Sequence, residues 1–89
     1  MVEVEFAPSL RRHVECSMQR VQAGSLATVL EAALLAAPRL THYVFDDQKA
    51  IRKHVAVFIN QKLIIHRNDL SEAVADGDRV LVIQALSGG

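Results

Sequence analysis

The sequence has little of what several common classes of protein require. It has one cysteine, Cys16, so no internal disulfide framework can form, and no cysteine or histidine spacing is typical of a zinc site. Ten basic and ten acidic side chains leave no net charge, which argues against nucleic-acid binding because such binders need a basic excess. The longest nearly apolar run, residues 26–38, is too short to span a bilayer. We therefore expect neither nucleic acid nor membrane as a partner.

These exclusions favour a single small cytoplasmic domain that spans residues 1–89. Hydrophobic residues make up 51% of the chain, which is enough for one compact core. No secretory signal precedes the first strand-like residues, and a lone cysteine is usual in a reducing compartment. A chain of 89 residues has no room for a deep internal active site, so we do not expect an enzyme.

Two alternating segments near the N-terminus predict an antiparallel hairpin. Residues 2–6 alternate apolar and charged side chains, a pattern typical of a strand with one buried face. Residues 10–14 are compatible with either a helical turn or a loop. Alternation returns over residues 14–21, and it assigns one set of side chains to the apolar face, namely Val14, Cys16, Met18 and Val21.

A helix is predicted between Ser25 and Pro38. The Ser25 hydroxyl is placed to cap its first turn, and Pro38 disfavours helical geometry in the residue before it. Apolar side chains recur at helical spacing and form one stripe, namely Leu26, Val29, Leu30, Ala33, Leu34 and Ala37.

The second half of the chain predicts three more strands. Leu40, Tyr43 and Val44 fit one short helical turn, and Asp46-Asp47 indicates a turn. The strands are predicted at residues 54–59, 63–65 and 79–86, with turns at Asn60-Gln61 and at residues 75–78. The resulting order, β-β-α-β-β-β, predicts an α+β domain in which one main helix packs on one face of a mixed sheet.

Two glycines, Gly88 and Gly89, end the sequence. They bury no side chain, so the ordinary explanations are a frayed end or an expression scar. The predicted last strand leads directly into them through Leu86 and Ser87, which favours a function instead. A segment without Cβ atoms can thread a narrow channel and present its carboxylate to an enzyme. That carboxylate reacts only after activation, for example as an adenylate, and no phosphate-binding glycine loop is present, so a partner would use the ATP.

Four features together resemble the MoaD/ThiS family of ubiquitin-like sulfur carriers. They are the segment 57–64, the turn at residues 76–78, the terminal Gly88-Gly89, and Phe6-Ala7 followed by Leu10-Arg11. The resemblance covers essentially the whole chain. It implies a β-grasp (ubiquitin-like) fold with a flexible tail over residues 85–89.

The resemblance also implies a reaction at the tail. Gly89 would be adenylated by a ubiquitin-activating-like adenylyltransferase and converted to a covalent thiocarboxylate, and the chain itself would bind no cofactor and no metal. Gly88, Ser87 and Leu86 would thread the partner's channel. The recipient would be a large synthase subunit or another sulfur-accepting enzyme.

The resemblance leaves the pathway open. The long segment 39–53 is more similar to the small subunit of molybdopterin synthase or to cysteine-pathway carriers than to thiazole carriers, which serve thiamine synthesis. Residues 85–87 depart from the commoner Ala-Val-Ala pattern. Two other functions stay open: a protein modifier that Gly89 joins to lysines, and a plain interaction domain with an incidental tail.

One face of the predicted sheet is expected to contact the partner. Val80 and Val82 should face the helix, which leaves Leu81 and Ile83 on the uncovered face, and exposed apolar patches usually mark interaction sites. Ile83, Leu63 and Phe6 match family positions that contact partners, although Phe6 fits the core equally well. Phe58 joins the same set by alternation.

The remaining polar clusters receive no catalytic role. A basic cluster, formed by Lys49, Arg52 and Lys53, fits a solvated loop better than a surface that guides an acidic partner. The histidines show no metal-ligand spacing, and Cys16 fits a buried hydrophobic position.

Overall fold

The computed structural model describes residues 1–7 and 18–84, and within them it contains the mixed sheet and single main helix that the sequence predicts. The helices are α1 (Leu26–Leu34) and α2 (Thr41–Val44), the latter preceded by a 3₁₀ turn at Pro38–Leu40. The strands are β1 (Val2–Phe6), β2 (Met18–Val21), β3 (Gly24–Ser25), β4 (Val55–Ile59), β5 (Lys62–Leu63), β6 (Ala73–Val74) and β7 (Arg79–Gln84).

Five strands form the main sheet, in the order β2-β1-β7-β4-β5. β1 and β7 lie side by side in parallel, with Val4 opposite Val80, and the other neighbours are antiparallel. β7 is therefore the central strand, hydrogen-bonded on both sides. Residues 8–17, which contain Val14 and Cys16 of the predicted second strand, lie outside the described residues, as does the tail at residues 85–89.

Alternation along β1 separates the two faces of the sheet as predicted. Val2, Val4 and Phe6 are fully buried beneath the helix, whereas Glu3 and Glu5 are only half-buried on the opposite face. β2 differs from the prediction in one position. Val21 is buried opposite Val2, but Met18 pairs with Glu5 and is 36% exposed on the opposite face, because side chains three residues apart point to opposite sides of a strand.

Helix α1 begins where the sequence predicts. The Ser25 hydroxyl accepts a hydrogen bond from the Thr28 amide at 3.2 Å. Every residue of the predicted apolar stripe is buried, from Leu26 to Ala37. The α-helix ends at Leu34, earlier than Pro38, and Pro38 begins the 3₁₀ turn. This stripe and the inner face of the sheet form the centre of the core, and buried residues of the segments between the strands, such as Leu40 and Ile51, belong to the same cluster.

A second, two-stranded sheet closes the start of α1, and the sequence did not predict it. β3 pairs with β6, and the amides of Leu26 and Ala27 donate to the carbonyls of Glu72 and Leu70 at 2.8 and 2.9 Å. These bonds satisfy donors that the first turn of a helix leaves unpaired.

The segment between α1 and β4 is ordered by two arginines. The short helical turn predicted there is α2. Arg52 Nε donates to the carbonyls of His42 and Phe45 at 2.6 and 3.1 Å, and Arg67 Nη2 donates to the carbonyls of Arg52 and Val55. One member of the predicted basic cluster, Arg52, is therefore half-buried and structural, not part of a solvated face.

The other two members of the cluster are exposed. Lys53 is exposed, and Lys49 lies 3.5 Å from Glu31 with 79% of its side chain exposed. An ion pair this exposed contributes little to stability. The three residues thus have different roles and do not form one charged surface.

The β4–β5 turn is joined to the turn before β7 by side-chain hydrogen bonds. Asn60 and Gln61 both have positive φ, 49° and 72°, which is the conformation of a two-residue hairpin turn. Asn60 Nδ2 donates to Asp78 Oδ1 at 2.9 Å, and Asn60 Oδ1 accepts from the Arg79 amide at 2.9 Å. Gly77 adopts φ of +90° in the second turn, a conformation that side chains rarely tolerate.

This junction should make stability depend on pH. The Asn60 side chain, followed by the Ala75 amide, donates to the Asp78 carboxylate and lowers the pKa of Asp78 in the folded chain. Because the folded pKa is below the unfolded one, the stabilisation is complete above the ordinary carboxyl pKa of about 4 and is lost as the pH falls through the folded pKa. We expect Asp78→Asn to flatten the dependence of urea-unfolding free energy on pH between about 5 and 3.

Asp69 provides a comparison in the same titration. Hydrogen bonds from the Ser71 hydroxyl and amide lower the pKa of Asp69, so Asp69→Asn should remove a separate part of the acid sensitivity. Identical pH profiles for wild type and Asp78→Asn would contradict the assignment to Asp78.

Within residues 1–7 and 18–84, no helix is long and apolar enough to cross a membrane. In the same part of the chain, no group of three or more histidine, cysteine or acidic residues could hold a metal ion.

Candidate functional site

The face of the sheet opposite α1, here called the open face, carries most of the residues predicted to contact a partner. One row crosses all five strands through paired positions: Met18 lies beside Glu5, Glu5 beside Leu81, Leu81 beside Phe58, and Phe58 beside Leu63. Ile83 lies two residues farther along β7 and pairs with Ala56. The pairing therefore brings Leu63, Phe58, Leu81 and Ile83 together, as the sequence predicted.

These side chains form an apolar band that no described element covers. Leu63 is 53% exposed, while Phe58, Leu81 and Ile83 are half-buried. A concavity of about 580 Å³ lies over the band, and its lining consists of Glu5, Phe58, Asn60, Gln61, Arg79, Leu81 and Ile83. A surface of this kind can receive the apolar side chains of another protein.

Beyond the apolar band, an ionic row crosses the same face. The Glu3 carboxylate lies between two arginines, 3.1 Å from Arg79 Nη2 and 3.5 Å from Arg20 Nη2. All three side chains are partly exposed, so these pairs are screened by solvent and add little stability. They do separate the face into an apolar end and a charged end.

Phe6 is a correction to the predicted contact set. Its side chain is completely buried between the sheet and α1, because it alternates with Glu5 and shares the inner face with Val4. Phe6 therefore belongs to the core. Sequence reasoning placed no functional weight on Glu5, although the alternation of β1 already put its carboxylate on the open face.

The predicted reactive tail follows directly from β7. β7 ends at Gln84, next to Ile83 at the apolar end of the open face. Leu86, Ser87, Gly88 and Gly89 lie outside the described residues, so their predicted roles stay predictions.

The fold and the open face define a class: a five-stranded mixed sheet that holds one main helix on one side is a ubiquitin-like β-grasp domain. The ThiS family model matches residues 10–89, and the chain belongs to the ThiS family. The family resemblance predicted from the sequence is thereby confirmed.

Solved structures agree on the fold. SAMP1 from Haloferax volcanii has a TM-score of 0.81 and 26% identity, over 99% of this chain and 98% of that chain. A chain of the Amycolatopsis orientalis BexX/CysO complex has a TM-score of 0.84 and 17% identity, over 100% of both chains. The complex of subunits 1 and 2 of the molybdopterin-converting factor from Helicobacter pylori contains a similar chain. Its TM-score is 0.61 and its identity 24%, over 99% of this chain and 97% of that chain.

Comparison with curated protein sequences finds no match. The family assignment and the structures together identify a small ubiquitin-like carrier or modifier.

Proposed function

We propose that this chain is a cytoplasmic sulfur carrier whose C-terminal Gly89 carboxylate becomes a thiocarboxylate. Membership of the ThiS family carries the proposal. The open face supports it, because a partner docked there would lie beside the end of β7, from which residues 85–89 lead to the reacting carboxylate.

The proposed division of labour follows from the fold. β7 is held by β1 and β4 on its two sides, so the strand is a rigid base for the tail. Leu81, Ile83, Phe58 and Leu63 hold the partner, and Leu86, Ser87 and Gly88 then pass through its channel. Once the partner is bound at this fixed surface, the short tail has only a small volume to explore before it reaches the active site.

The proposed chemistry takes place in the partner, a ubiquitin-activating-like adenylyltransferase. A Gly89 carboxylate oxygen attacks the α-phosphate of ATP, forming an acyl adenylate and releasing pyrophosphate. A sulfide-level sulfur nucleophile then attacks the carbonyl carbon and displaces AMP, which keeps the oxygen. The product is a thiocarboxylate, with one sulfur in place of one oxygen and no net oxidation at carbon.

A second protein would receive the sulfur. We propose a large synthase subunit, with this chain as the small subunit of molybdopterin synthase. The H. pylori structure of two molybdopterin-converting-factor subunits is consistent with this pairing. Carriers in cysteine or thiamine synthesis are the other candidates, and a test of each purified acceptor with the thiocarboxylate form would separate the three pathways.

Intact-protein mass spectrometry tests the central step. The full chain is incubated with the adenylyltransferase from its own organism, ATP and a sulfide source. We expect one oxygen-to-sulfur exchange per chain, dependent on ATP, because adenylation must come first. The mass before reaction also shows whether Gly89 is the last residue. No exchange with any such enzyme of the organism would overturn the proposal.

A protein modifier is the second candidate, and the similarity to SAMP1, a small archaeal modifier protein, favours it. In this case Gly89 would form isopeptide bonds with lysines. Denaturing immunoblots of cell extract distinguish the two functions: a ladder of larger conjugates that disappears without Gly89 indicates a modifier, whereas a single free band indicates a carrier.

A further inference from the structure

Glu5 is an acidic residue in an otherwise apolar row of the open face. Its strand neighbours in the row are Met18 on one side and Leu81 on the other, and Phe58 lies beyond Leu81. The side chain is half-buried at the edge of the concavity. Within residues 1–7 and 18–84, the structure shows no ion pair to the Glu5 carboxylate.

The nearby cations of the open face are occupied by a different carboxylate. Arg79 and Arg20 both contact Glu3, which lies two residues before Glu5 on the same strand. Glu3 is thus compensated twice, whereas Glu5 has no cation among the described residues. The net charge of the chain is zero, but this balance does not give every carboxylate on the open face a cation as its neighbour.

Covering the apolar band would change the surroundings of Glu5. A partner that excludes water from Leu81 and Phe58 also removes water from the carboxylate between Met18 and Leu81. An unpaired carboxylate without water is strongly unfavourable, whereas one paired with a cation in a poorly hydrated interface gains from the lower dielectric. A purely apolar partner surface therefore fits this face badly.

From this we infer that the open face selects a protein partner that places one arginine or lysine side chain against Glu5, surrounded by apolar side chains that cover Phe58, Leu81 and Ile83. The inference rests on the proposed function, in which the partner is the adenylyltransferase. It adds the chemical requirement by which this partner is distinguished from other proteins with exposed apolar patches. Opposite charges in an interface give specificity, because a partner without the cation leaves a buried charge unpaired.

The test compares three variants in binding to the adenylyltransferase without ATP, measured by isothermal titration. Glu5→Gln keeps the shape and removes the charge, and Glu5→Lys reverses it. Glu31→Gln is the matched control, since Glu31 is a partly exposed acid on α1, on the opposite side of the sheet. Thermal unfolding of each variant checks that the fold is retained.

We expect Glu5→Gln to weaken binding about tenfold and Glu5→Lys by about a hundredfold or more. Glu31→Gln should stay within about twofold, as an exposed charge outside the interface contributes little. The KM for the carrier in the adenylation assay should rise in parallel, with kcat unchanged, because Glu5 is proposed to contribute to docking and not to act on the reacting carboxylate. A charge reversal of one partner arginine or lysine that restores binding to Glu5→Lys would identify the cation.

The outcomes separate the two levels of the proposal. If the wild type is adenylated and Glu5→Gln binds as tightly as the wild type, the role of Glu5 is overturned. The proposed function then stays intact. Wild type that neither binds nor is adenylated overturns both. Sedimentation measures the oligomeric state. If the wild type is a dimer and Glu5→Gln is a monomer, a second copy of this chain supplies the cation, and the assignment to a different protein is overturned.

Discussion

Deletion of Gly88 and Gly89 should abolish oxygen-to-sulfur exchange completely and leave the folded domain unchanged. The deletion moves the carboxylate back to Ser87, so that it no longer reaches the activating site, and it places a side chain where the channel is proposed to admit only glycine. β7 ends at Gln84, so the deletion leaves every buried residue of the described core in place. Mass spectrometry measures the exchange, and thermal unfolding measures the fold.

A matched variant separates the effect of tail length from the effect of an added side chain. Gly88→Ala keeps the chain length and adds one Cβ atom, so slow exchange with an unchanged Kd for the adenylyltransferase would indicate a narrow channel. Full activity of the deletion variant would contradict the role of the tail. A large loss of thermal stability in the deletion variant would instead show that these residues support the fold.

Phe6→Ala is expected to have the largest effect on stability among the residues discussed. The side chain is fully buried, and its removal leaves a cavity between β1 and α1 that the neighbouring Val4 and Val82 cannot fill. Truncation of a buried phenylalanine costs about 3–5 kcal/mol, which is a large part of the total stability of a small domain. Urea unfolding should show a much lower midpoint with an unchanged slope.

Leu81→Ala is the control for Phe6→Ala, because Leu81 lies on the adjacent strand but on the open face. Its unfolding midpoint should change far less, whereas its affinity for the adenylyltransferase should fall. A similar loss of stability in the two variants would contradict the assignment of Phe6 to the core and Leu81 to the contact surface.

Local patterns in the sequence predicted most of the fold. The period-two alternation of residues 2–6 assigned both faces of β1, and the capped stripe after Ser25 predicted α1. Asn60 and Gln61 predicted the hairpin turn, since asparagine tolerates positive φ better than most residues. Each of these signals lies within a few consecutive residues, which is why the sequence alone contains it.

Features that depend on distant residues were missed or misplaced. β3 and β6 have two residues each, too few for any period, and they form only because the chain after Leu70 returns to the start of α1. The bonds from Arg67 to the carbonyls of Arg52 and Val55 have no sequence signature. Phe6 was misplaced for a different reason: the family resemblance put it in the contact set, although its alternation with Glu5 already placed it on the inner face with Val4.

The central place of β7 ties the folding of the domain to its own synthesis. β1 is synthesised before the other described strands, yet its parallel neighbour β7 is synthesised after all of them, and the contact between Glu3 and Arg79 spans 76 residues. Contacts so distant in sequence slow folding, because a long loop must close before they form. A chain interrupted before residue 79 lacks the strand that joins the two halves of the sheet, so we expect it to stay unfolded and open to proteolysis. Only chains that already contain β7, the strand that leads into the tail, are therefore expected to fold.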